Sequence, residues 1–301
     1  VSPSGPSRPS RRSQRPKQAK KISLSRKRES THAAAVENAG RARRRSEPKV
    51  DLSQFISGIY NYCDRWCERC PLTAKCYLYW QERGREAKHR AAGRDPYDWD
   101  VVLEDVRKNF QQAIEMLREA AEEHGVDLDH LSEVEDTSTD PSAHPLHQRA
   151  ESYLKTAHTF LKDLHQRLAG EHATLEQRAM VLGPERVAGE YRDILDAHEV
   201  ISWYHTLIPA KVHRALSSMM EAEQDEDEGQ ELHMGDALGS AKVAHESIVR
   251  SMAALRRVYD WDTGLEDQVI PLLADLDWMR RQIEESFPGF QNFRRPGLDP
   301  E

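Results

Sequence analysis

Residues 187–216 read VAGEYRDILDAHEVISWYHTLIPAKVHRAL. Val187, Tyr191, Ile194, Leu195, Val200, Ile201 and Ile208 recur at the 3.6-residue period of a helix, not the alternation of a strand. Val212 and Leu216 carry the stripe past Pro209, which is therefore expected to kink this helix and not end it. The same period recurs on either side. Ala150, Tyr153, Leu154, Ala157, Phe160, Leu161, Leu164 and Leu168 define a preceding helix, expected to run on to about Leu182, where Gly183-Pro184 breaks it. Val243, Ile248, Met252, Leu255 and Tyr259 mark a penultimate helix, and Leu265, Val269, Leu272, Leu276, Met279, Ile283 and Phe287 a last one. Upstream, Asp95-Pro96 offers an N-cap followed by a helix-starting proline. Val102, Val106, Phe110, Ala113, Leu117 and Ala120 follow at helical spacing, and Gly125 closes the run. Long helices with polar links specify an all-α fold, a bundle of long helices.

Charge divides the chain. Residues 1–50 hold 15 Lys and Arg against 3 Asp and Glu, a net of +12; residues 51–301 hold 28 against 48, a net of −20. The first segment is rich in Ser, Pro, Arg and Lys and poor in large apolar side chains, so it cannot offset the entropy of ordering. Three parts are expected: a disordered basic tail over 1–49, a four-cysteine helical module over 50–94, and a helical bundle over 95–296 with acidic loops near 132–146 and 224–231. The tail suits weak, salt-sensitive nucleic-acid contact, a targeting role, or a solvated arm lying on the acidic body. The initial Val is read as a missing or processed start. No stretch of about 18 apolar residues occurs and no apolar segment follows the basic start, so a cytoplasmic protein without membrane contact is expected.

The chemistry lies in one segment, Ile59-Tyr-Asn-Tyr-Cys63-Asp-Arg-Trp-Cys67-Glu-Arg-Cys70-Pro-Leu-Thr-Ala-Lys-Cys76, which holds all four cysteines. Grouped thiols in a chain without a secretory signal read as metal ligands and not as a disulfide framework. Residues 51–70 read as a helix with Leu52, Phe55, Ile56, Ile59 and Tyr60 on its apolar stripe. Cys63, Cys67 and Cys70 would then share a face at i, i+4 and i+7, and the turn forced by Pro71 would swing Cys76 back to them. An ideal helix separates i from i+7 by about 10 Å, which a single tetrahedral zinc does not span without distortion. An iron–sulfur cluster on Cys63, Cys67, Cys70 and Cys76 is therefore favoured over zinc at the same residues. Their sulfurs are expected to converge on one point. Tyr60, Tyr62, Trp66, Tyr77, Tyr79 and Trp80 supply an apolar shell, and Arg65, Arg69 and Lys75 offset thiolate charge. Trp66, Tyr77 and Trp80 are expected to dock the segment on the bundle.

Cys67-x2-Cys70-Pro71-x4-Cys76 resembles the C-x2-C-P-x4-C run of iron–sulfur RecB-type nucleases, and Cys63-x3-Cys67-x2-Cys70 has the spacing of radical-SAM enzymes. These resemblances imply a cluster and carry no activity over: the chain has no E-x-K element on a strand and no repeating strand–helix pattern. The phrase from Tyr62 to Pro71, YCDRWCERCP, also resembles a segment of uncharacterised, helical bacterial proteins, which implies an all-α fold.

No dinucleotide, phosphate-loop, serine-hydrolase or HExxH signature occurs. His158 and His165 share a helix face, as do His198 and His205, and a Glu-x-x-His stands at Glu86–His89. These read as ordinary helix residues, since a di-iron bundle needs more carboxylates facing inward. The expected function is an electron-transfer or redox-sensing protein, with no catalytic residues. The alternative is a scaffold or nucleic-acid-associated protein holding a structural zinc. In either reading the helical bundle is the docking surface for a protein partner.

Overall fold

The computed structural model describes residues 50–128, 140–172, 174–225 and 228–300. The basic tail and most of the expected acidic loop at 132–146 lie outside them. The described residues form seven α-helices and no strand, an all-α architecture. The helices are α1 Tyr77–Ala91, α2 Trp99–His124, α3 Pro145–His172, α4 Leu175–Leu182, α5 Pro184–Gln224, α6 Glu228–Trp261 and α7 Glu266–Ser286. None is long and apolar enough to cross a membrane.

Helices α3, α5, α6 and α7 form an up-down-up-down bundle. Running in opposite directions, α3 and α5 pair His147 with His213, His158 with His205 and His165 with His198. Likewise α5 and α6 join Arg214 to Asp236 and Asp196 to Arg257, and Arg149 of α3 reaches Asp275 of α7. Large side chains such as Tyr153, Leu164, Ile201, Ile208 and Leu255 fill the core. On α6, Ala237, Ser240, Ala241 and Ala244 are fully buried, and such small residues let helix axes approach closely.

Several expected boundaries shift. The helix expected from Asp95-Pro96 starts at Trp99: Asp98 is the N-cap, accepting from the Asp100 amide, while Asp95 accepts from the Tyr97 amide in the turn before it. Gly125 ends that helix as expected. The helix expected to reach Leu182 is two, α3 and α4. Pro145 opens α3, so the helix begins inside the span read as a loop. Helix α5 runs unbroken through Pro209. The acidic link after Gln224 is shorter than expected, because α6 already begins at Glu228.

The largest correction concerns residues 51–70, which are not a helix. They fold into turns, with short 3-10 segments at Leu52–Gln54, Cys67–Arg69 and Thr73–Lys75. Two backbone positions explain this. Gly58 has φ 72° and Arg65 has φ 59°, both left-handed, and either one interrupts a right-handed helix. The apolar residues still turn inward: Ile59 is buried, and the Ile56 amide donates to the Lys75 carbonyl at 3.0 Å, tying the two ends of the segment.

Candidate metal centre

Turns in place of a helix set the positions of the thiols. Asp64 is the hub. Its Oδ1 accepts from the Trp66 amide, so the side chain closes a local turn. Its Oδ2 accepts from Tyr204 Oη at 2.8 Å and from Arg250 at 2.9 Å. Its backbone carbonyl accepts from Trp203 Nε1 at 2.8 Å. Trp66 then stacks on Trp203, with ring centroids 5.2 Å apart and planes 14° apart, and meets Tyr204 edge-on. The Arg69 guanidinium lies 3.9 Å from the Trp66 ring centroid and donates to Asp196 and Glu199 of α5. Of the three aromatics expected to dock the segment, Trp66 does so. Tyr77 and Trp80 instead pack with Phe55 inside the segment.

A close approach on α6 completes the docking. The Tyr62 ring lies so near Gly239 that a Cβ there would stand 2.5 Å from two of its atoms and 2.8 Å from Phe293. Tyr62 Oη also donates to Asp236. The C-terminal segment lies over the same region: Lys242 of α6 donates to the carbonyls of Gln291 and Phe293 and pairs with Asp299, and Arg295 pairs with Glu246.

Cys63, Cys67, Cys70 and Cys76 are free thiols, all half-buried, and all four line one small cavity with Ile59, Tyr79 and Leu298. The Cys63 thiol donates to the Tyr60 carbonyl at 3.7 Å, and Cys70 Sγ accepts from the Leu72 amide at 3.4 Å. Burial raises the Cys63 pKa, against the Arg65 backbone hydrogen bond, the Arg65 charge and the Lys211 charge, which lower it. Cys67 is pushed up to about 11, first by burial and then by Glu82, Cys63, Cys76 and Glu68. Lys211, buried on α5, donates to the Asn61 carbonyl at 3.2 Å, and burial depresses its own pKa. The expected single point of convergence is not seen. Among the described residues no three Cys, His, Asp or Glu side chains stand together ready to hold one metal ion. The four thiols surround a shared space instead.

Comparison with family models, with curated proteins and with solved structures finds no match.

A second, open cleft of about 450 Å³ adjoins this cavity, and Cys63, Asp64, Trp66, Cys70 and Leu298 front both. Its other wall carries Arg250, Arg257 and Arg295, each already paired with a carboxylate: Asp64, Asp196 and Glu246 respectively. Elsewhere, the four histidines singled out from the sequence meet as His158–His205 and His165–His198 across α3 and α5. Glu86 is held by Arg83, Arg90 and Tyr97, and His89 by Asp105.

Sequence reasoning missed Asp64, Lys211, Trp203, Tyr204 and Leu298. Asp64 alone left a local signal, as a turn-forming residue inside the cysteine run. The others lie more than 130 residues from Cys63 along the chain.

Proposed function

We propose that this chain is a cytoplasmic metalloprotein holding an iron–sulfur cluster on Cys63, Cys67, Cys70 and Cys76, used for electron transfer or redox sensing. The observation that carries the reading is that all four cysteines of the chain border one cavity, without a disulfide. The donor set fits such a group. Four thiols fill its ordinary protein coordination, Tyr60, Trp66 and Tyr79 line the cavity beside them, and Arg65 and Lys211 offset thiolate charge at Cys63. Burial holds the metal-free thiols of Cys63 and Cys67 protonated, so binding a metal must release protons. A space bordered by four thiols suits a polynuclear cluster, whose ligands stand farther apart than those of one tetrahedral ion.

Anaerobic purification followed by iron, sulfide and zinc analysis tests this. Iron and acid-labile sulfide in equal amounts, lost on Cys67→Ser, is the expected result. Zinc alone would replace the cluster with a structural ion and favour the scaffold reading. Full occupancy by neither would end the metal hypothesis.

A further inference from the structure

Helix α2 stands apart from the bundle. From Val106 to Ala120 every residue is exposed, around the whole circumference. Yet its sequence is strongly amphipathic. Trp99, Leu103, Val106, Phe110, Ala113, Leu117 and Ala120 follow one another at alternating steps of four and three, and His124 continues the series. That is the heptad seam of a two-helix coiled coil, sustained over the length of the helix. Trp99 is 77 % exposed, Phe110 66 % and Leu117 65 %, and Ile114 and Met116 widen the seam. Helices draw most of their stability from packing an apolar face, and among the described residues this stripe is left largely uncovered.

We propose that this seam pairs antiparallel with the α2 seam of a second copy of the same chain. The sizes of the side chains select that occupant. In an antiparallel pair Leu103 faces Ala120 of the other copy, Phe110 faces Ala113, Val106 faces Leu117, and Trp99 faces His124. Most layers set a large residue against a smaller one, the condition for interdigitated packing. A parallel pair would instead stack Phe110 on Phe110 and Ala113 on Ala113, alternating crowded layers with empty ones. The flanking positions raise no objection: Asp100 falls opposite Ala121, Arg107 opposite Ile114, Val102 opposite Glu123 and Asn109 opposite Met116, with no like charges facing. The area also suffices. Trp99, Leu103, Val106, Phe110, Ile114, Met116 and Leu117, 42–77 % exposed, present an area of the order of the roughly 800 Å² that one partner contributes to a standard interface.

Sedimentation equilibrium on the full chain, from low to high micromolar, is the test. The expected result is a reversible monomer–dimer equilibrium. Phe110→Glu should weaken it by about a hundredfold or more, because two copies of the residue are lost from the seam. The substitution lies on an exposed position, so an unchanged helical circular-dichroism signal shows that the fold survives. A second measurement fixes orientation: in a chain carrying Val106→Cys and Leu117→Cys, mapped cross-links should join 106 to 117 of the other copy. A Leu117→Cys chain cross-linking 117 to 117 would mean parallel pairing and overturn the proposal. A chain that stays monomeric throughout, or a dimer indifferent to Phe110→Glu, would overturn it too. So would a bare α2 that becomes covered only when residues 1–49 are present.

Discussion

Helices α2 and α5 are both long and both carry an apolar stripe, yet Ile201, Ile208 and Leu216 of α5 are buried while Val106, Phe110 and Leu117 of α2 lie in solvent. The difference lies in what each helix meets. The stripe of α5 faces α6, whose buried Ala237, Ser240, Ala241 and Ala244 let the two axes approach closely and surround each large side chain. Among the described residues no helix lies over positions 106–120 of α2, whose own stripe carries small residues at Ala113 and Ala120. Amphipathicity thus says that a helix has a face to cover; the sizes of the residues opposite decide what covers it.

The sharpest way to break this comparison is truncation at matched positions. Leu255→Ala in the bundle core should cost about 2–5 kcal/mol in denaturant unfolding. Leu117→Ala on α2, measured in dilute monomer, should stay within about 0.5 kcal/mol, as exposed substitutions do. Comparable losses at the two sites would show that α2 is packed in solution.

Docking of the cysteine segment gives the next largest effects. Asp64→Ala removes the acceptor of Tyr204 and Arg250 together, and should cost about 1.5–3 kcal/mol, with the smaller part from Arg250, which is more than half exposed. Early proteolysis within residues 53–76, ahead of the bundle, reads out the loosened segment. Gly239→Ala should produce the same early cleavage at a cost of about 1–3 kcal/mol, because a Cβ at 2.5 Å from the Tyr62 ring must push it away. An Ala variant with native resistance would show that Tyr62 has room to move.

The smallest expected effect is acid sensitivity along the seam between α3 and α5. His198 and His205 have pKa values lowered by burial first and by their partners His165 and His158 second, while Glu199 acts in the opposite sense on His198, as do the Ser202 and Ile201 carbonyls on His205. A histidine with a depressed folded pKa contributes fully above its unfolded value of about 6.5, and stability is lost as the pH falls below that. His205→Gln should flatten the loss of stability between about pH 6.5 and 5. An unchanged slope would place the acid response elsewhere.

The bundle was legible in the sequence because its stripes are long and one period governs each. Leu164, Ile201, Leu216, Leu255 and Leu276 are all buried where the pattern puts them. The grouping of the four cysteines was legible as well, because it needs only their proximity along the chain. The conformation that presents them was not. Residues 51–70 have a helical pattern of apolar residues, and the left-handed φ at Gly58 and Arg65, with the turn that the Asp64 side chain closes, makes them turns. For Arg65 the sequence carries no such signal. Nor does it announce that Asp64 will meet Tyr204 and Arg250, or that Lys211 will lie near Cys63, since those pairings exist only once α5 and α6 are side by side.

Leu298 forms part of the cysteine cavity's wall, and this has a consequence for the order of events during biosynthesis. Translation delivers the four thiols early and residue 298 more than 200 residues later, a delay of roughly ten to fifty seconds at ordinary elongation rates. Until then neither the C-terminal segment nor the α6 lysine that clasps it is in place. A nascent chain therefore offers its thiols to whatever donor, oxidant or stray ion it meets, and only the finished chain can enclose them.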